Sequence, residues 1–178
     1  MTYFSGFSLA GERELFAPFL GEVSKNPYVA AGFSYGAQKA LEYALGRSER
    51  LERLILLSPA WFLDRSPAFV KLQLRAFRKD RAAYLRDFLR AAVDPSDLDL
   101  SAYLAPGSVE ELEELLTYPW EPRKLEAIRE RGTRIEIYLG ARDRIVTAPA
   151  AHEFFKNFGE SWLFKTYGHI LQGEKEHG

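Results

Sequence analysis

Hydrophobic positions along this chain fall into two alternating rhythms. Short apolar runs alternate with stretches in which large side chains recur every three or four residues. The first rhythm appears in Tyr3-Phe4-Ser5-Gly6-Phe7, in Pro27-Tyr28-Val29-Ala30-Ala31 and from Leu51 to Leu57. Between these runs, Leu15, Phe16, Phe19 and Leu20 stand at helical spacing within Glu12 to Leu20. Ala37, Ala40, Leu41, Ala44 and Leu45 then form a single stripe, with Gly46 placed to end it. The order strand, helix, strand, helix, strand predicts a parallel sheet. The second and third runs suit strands buried on both faces.

The middle of the chain changes character. From Ser66 to Arg131 the signals are only helical: Pro67 at a first-turn position, Asp80 as a cap, and Ser108-Val109-Glu110-Glu111 as a capping box. The first pattern then resumes. Arg134 to Leu139 runs into Gly140, a helix bearing Phe154, Phe155 and Phe158 closes at Gly159, and Ser161 to Thr166 makes a last strand. The expectation is one α/β domain over residues 1–178, interrupted by a helical insertion at about 61–131, with no internal repeat.

Composition narrows the chemistry. With 24 basic and 25 acidic residues the chain is near neutral, which argues against nucleic-acid binding as a whole-chain property. It has no cysteine, so disulfides, thiolate metal sites and a cysteine nucleophile are excluded. Its three histidines share no ligand spacing, and neither a metal nor any other cofactor is expected. The N-terminus lacks the basic start and apolar run of a signal peptide, and no apolar stretch reaches the ~18 residues of a membrane span. A cytoplasmic location is expected.

Gly32-Phe33-Ser34-Tyr35-Gly36 matches G-x-S-x-G, between a buried strand and a strong helix. In that context the serine is a candidate nucleophile on a strained turn, its glycines leaving room for neighbouring backbone. The plainer alternative is a glycine–serine turn without chemistry. The base is expected to be His169, in the loop after the last strand; His152 lies on a helix and His177 in a polar tail. The orienting acid is expected to be Asp143, just past the penultimate strand, with Asp64 as its rival. A carboxylate there would hold the imidazole tautomer and stabilise the imidazolium. Ser34, Asp143, His169 is the chain order of α/β-hydrolases, not of trypsin-like or subtilisin-like proteases. An oxyanion would be held by the backbone amides of Tyr35 and, from the loop after the first strand, of Phe7.

Several segments resemble the short pimeloyl-(acyl-carrier-protein) methyl ester esterases of the BioV type: "YFSGF", "GFSYGAQKALEYA", "LLSPAWF", "KLQLRAFRKD", "GARDRI" and "GHILQ". The resemblance implies an enzyme of biotin synthesis that frees a carrier-bound pimeloyl chain of its methyl group, with Ser34, Asp143 and His169 as its triad. With one helix between the first strand and the elbow strand, the fold class expected is a reduced α/β-hydrolase of about five parallel strands, flanked by helices, with an inserted helical lid.

The lid's charges are segregated. Residues 61–90 hold eight basic residues and three acidic ones, while residues 91–121 hold eight acidic residues and no basic one. Lys71, Arg75, Arg78 and Lys79, at helical spacing, are candidates to steer an acidic acyl carrier protein; mutual pairing of the two halves is the alternative. Trp61 is the first candidate to line an acyl slot. Two further readings stay open: a general short-chain carboxylesterase or thioesterase, and a hydrolase-fold binding protein with an inert triad.

Overall fold

A computed structural model describes residues 1–174; His177 lies outside them. Five strands run parallel in one sheet, in the order of the sequence: β1 (Thr2–Phe4), β2 (Val29–Phe33), β3 (Arg53–Leu57), β4 (Arg134–Gly140) and β5 (Glu160–Phe164). The strand period of two sorts their side chains onto two faces. Ala30, Leu54, Leu56, Ile135, Ile137 and Leu139 enter one core. Val29, Ala31, Phe33, Ile55 and Leu57 enter the other. This is the double burial expected of a parallel sheet.

Helix α1 (Ala17–Leu20) belongs to the segment covering the second face. The single helix expected over residues 12–20 is instead broken into a 3-10 turn at Glu12–Phe16, the short α1, and a second 3-10 turn at Gly21–Val23. The reason is Pro18, which has no N–H to offer the carbonyl of Glu14, so the α-helix restarts with proline in its first turn. On the opposite face, α2 (Tyr35–Gly46) ends at Gly46 as expected.

Residues between β3 and β4 fold into α3 (Pro67–Lys79), α4 (Arg81–Val93), α5 (Val109–Thr117) and α6 (Pro122–Glu130). Asp80 caps α4 through the Ala83 amide, and Ser108 with Glu111 closes the capping box of α5. Helix α6 departs from its neighbours. Its Leu125 and Ile128 join the main core with α2 and β4, so it is the crossover helix that returns the chain to the sheet. Helix α7 (Ala148–Phe155) packs on that same side through Ala151 and Phe155. The lid helices build a third cluster above the strand ends, with Leu74, Phe77, Leu85, Leu112 and Leu115 meeting Phe7 and Tyr35.

Candidate active site

Ser34 sits between β2 and α2 with φ 54° and ψ −112°, a conformation a non-glycine residue adopts only under constraint. The constraint comes from both sides. The Ser34 amide donates to the Leu57 carbonyl (2.9 Å), and its carbonyl accepts from Ala37 and Ala60 (both 3.1 Å). Gly36 lets β1 pass close, since a Cβ there would lie 2.0 Å from the Phe4 carbonyl oxygen. The serine side chain is thereby aimed off the end of the sheet.

His169 meets it. Its Nε2 is 2.9 Å from Ser34 Oγ, and its Nδ1 is 2.5 Å from Asp143 Oδ2. A carboxylate oxygen only accepts, so Nδ1 carries the proton and Nε2 is left to accept from the serine hydroxyl. The other carboxylate oxygen of Asp143 accepts from the amides of Ile145 (2.6 Å) and Val146 (2.9 Å), which fix its direction. The histidine loop is held in turn: the Ile170 amide donates to the Ala92 carbonyl at the end of α4, and the Phe33 ring lies 5.1 Å from the imidazole.

The structure thus brings Ser34, Asp143 and His169 into one hydrogen-bonded row. The rivals lie elsewhere: Asp64 pairs with Arg65 (3.6 Å), and His152 Nδ1 is 2.8 Å from Ser161 Oγ. Tyr35, first residue of α2, has an amide with no intrahelical acceptor. Neither it nor the Phe7 amide donates to a backbone carbonyl among the described residues. The Tyr35 phenol donates to Glu114 Oε2 of α5 (2.5 Å); burial first, then the Glu114 carboxylate, push its pKa well up.

Ser34 and His169 are only 2% and 1% exposed. A cavity of about 560 Å³ lies within the lid, lined among others by Phe62, Phe88, Leu112, Leu115 and Ile145, with Lys79 and Arg144 also on its wall; Ser34, Asp143 and His169 do not line it. Trp61 turns the other way, into the main core beside Phe154, and its neighbour Phe62 takes the cavity-facing place. Lys71, Arg75, Arg78 and Lys79 are all exposed on α3. Acids of the second lid half are engaged away from this basic helix: Asp94 with Arg144, Glu111 in its capping box, Glu114 with Tyr35, Glu121 with Arg123.

Two residues of this neighbourhood carried no signal in the sequence. Glu12 is fully buried and accepts from the Gly6 amide (2.8 Å) and the Tyr3 hydroxyl (3.0 Å). Gln38 donates from Nε2 to the carbonyls of Ala60 and Leu115 (both 2.9 Å). Each looks like an ordinary polar position until its distant partners are known.

Residues 4–175 match the model of the alpha/beta hydrolase family, and the chain belongs to that family. Solved structures share its fold. An esterase from Exiguobacterium antarcticum aligns with a TM-score of 0.54 and 18% identity, over 84% of this chain and 62% of that one. A lipase-esterase related protein from Clostridium acetobutylicum aligns at 0.64 and 16% identity, over 96% and 86%. BioG from Haemophilus influenzae aligns at 0.58 and 15%, over 96% and 88%. The chain therefore spans less than two thirds of the Exiguobacterium esterase. No curated protein sequence matches it.

Proposed function

We propose that this alpha/beta hydrolase is a serine esterase that cleaves the methyl ester at the end of a carrier-bound pimeloyl chain. The observation that carries the esterase reading is the row Ser34–His169–Asp143, built on a strained elbow with the imidazole oriented at both nitrogens. His169 takes the proton as Ser34 Oγ attacks the ester carbonyl. The amides of Tyr35 and Phe7 hold the oxyanion. Collapse expels methanol with the proton from His169. Water, activated by the same imidazole, then hydrolyses the acyl-enzyme and frees the carboxylate.

The substrate assignment rests on the resemblance of the quoted segments, and two features favour it. The cavity lies in the size range of ligand sites and is walled mostly by apolar side chains. The exposed cations of α3 offer an acidic carrier a complementary face. A direct test incubates the protein and Ser34→Ala with methyl-pimeloyl carrier protein and follows the methyl group by mass spectrometry. Loss with wild type alone is expected. A wild type that cleaves simple esters but leaves this one intact would keep the esterase and discard the substrate.

A further inference from the structure

We propose that Glu12 is the positioning residue of the oxyanion loop, setting the direction of the Phe7 amide. The proposal rests on the esterase reading above and adds to it a residue outside the Ser–His–Asp row.

Loop residues 5–9 join β1 to the segment that covers the second face of the sheet. The loop lies against the elbow from two directions. The carbonyls of Phe4 and Ser5 come so close to Gly36 that no Cβ would fit there, and a Cβ at Gly6 would lie 2.7 Å from the Phe33 ring. Within the loop, the Gly6 amide donates to Glu12 Oε1 and the Gly6 carbonyl accepts from the Leu9 amide (3.2 Å). Both polar groups of Gly6 are therefore held. The Gly6–Phe7 peptide is planar and trans, so its N–H points opposite to its C=O. Fixing that carbonyl toward Leu9 turns the Phe7 N–H the other way, where among the described residues it donates to no backbone carbonyl.

Glycine at position 6 would otherwise leave this peptide free to rotate. Glu12 holds the preceding Ser5–Gly6 peptide by its N–H, so that with the Leu9 bond on the Gly6 carbonyl both peptides flanking Gly6 are fixed. Glu12 is itself secured by the Tyr3 hydroxyl on the same oxygen. The lid secures the far side: Ser8 accepts from the Ala105 amide at its carbonyl (2.9 Å) and from the Gly107 amide at Oγ (3.0 Å). A carboxylate with no exposed surface is a costly device for stability alone, where an apolar side chain would serve better. An acceptor that aims a peptide accounts for its presence.

The test compares wild type, Glu12→Met and Glu12→Gln on 4-nitrophenyl butyrate, with a trifluoromethyl ketone as an analogue of the tetrahedral intermediate. Methionine keeps the bulk and removes the acceptor. Glutamine retains an oxygen where both donors converge. Glu12→Met is expected to lower kcat by about tenfold to a hundredfold, part of the loss caused by deleting an oxyanion donor. KM should move by no more than about twofold, and the ketone's Ki should rise in step with the fall in kcat. Glu12→Gln should recover most of both.

A folded Glu12→Met with wild-type kcat would overturn the proposal. So would a fall in kcat that leaves the ketone's Ki in place, since a merely structural defect has that signature. Should Glu12→Met not fold, Glu12→Asp, one methylene short of the Gly6 amide, is expected to give the same split, and wild-type constants there would overturn the proposal. A wild type that does not cleave the ester, or cleavage that survives Ser34→Ala, would sink the esterase reading itself, and does so before any Glu12 variant is compared.

Discussion

At the scale of single residues, Ser34 carries both the proposed chemistry and a strained backbone. Ser34→Ala removes the hydroxyl but keeps a Cβ at φ 54°, whereas Ser34→Gly removes both. The glycine variant should therefore unfold at higher denaturant than the alanine variant, by about 1 kcal/mol after the entropy cost of glycine; both should be inactive. Asp143→Asn would leave the row in place but favour the wrong tautomer, and kcat should fall by about 10³–10⁴. The meeting of Ser34, Asp143 and His169 was legible because each follows a strand end and the elbow has a local signature. Glu12 and Gln38 were not. Their partners lie six and nine residues back for Glu12, across a loop of unknown path, and far along the chain for Gln38. Likewise, adjacent aromatics do not announce which one faces a cavity: Phe62 does, and Trp61 does not.

Among the elements, α2 is one place where body and lid are joined. Residue 119, one turn beyond Leu115, is a proline with no N–H, so the Leu115 carbonyl depends on Gln38 for its donor. Gln38→Leu would orphan that buried carbonyl and should cost about 1–3 kcal/mol in chemical denaturation. Farther along α2, Glu42 accepts from Lys124 (2.6 Å) and Tyr118 (2.5 Å). Burial by itself would raise its pKa, yet these hydrogen bonds and the Lys124 charge hold it below the ordinary value. A carboxyl lowered in the folded state contributes stability above its unfolded pKa of about 4.3 and loses it as the pH falls through the folded value. Glu42→Gln should accordingly lose less stability than wild type on acidification through that window. Element order and type followed from the apolar rhythm, whereas the broken helix at residues 12–23 hid behind side-chain spacing that an α-helix and 3-10 turns both satisfy over so short a run.

For the molecule as a whole, Ser34 and His169 lie buried, so on the proposed esterase reading an ester must wait for an opening. The Tyr35–Glu114 bond is one tie across that seam. Tyr35→Phe keeps the amide and removes the tie; releasing about 1 kcal/mol should raise a minor open population about fivefold, seen as a rise in kcat/KM on 4-nitrophenyl butyrate with a lower Tm. The lid itself is spliced between neighbours, for β3 and β4 pair from Arg53↔Arg134 to Leu57↔Tyr138 although residues 58–133 intervene. The entropy of closing a loop grows only with the logarithm of its length, about 0.6 kcal/mol for each doubling. Descendants of this gene can therefore lengthen, trim or exchange α3, α4 and α5 at little cost to strand pairing, as long as Trp120 and α6 stay in the main core and the contacts to Ser8, Tyr35, Gln38 and the histidine loop survive. On the proposed reading, inheritance is free to rewrite what is admitted while Ser34, Asp143 and His169 stay where they are.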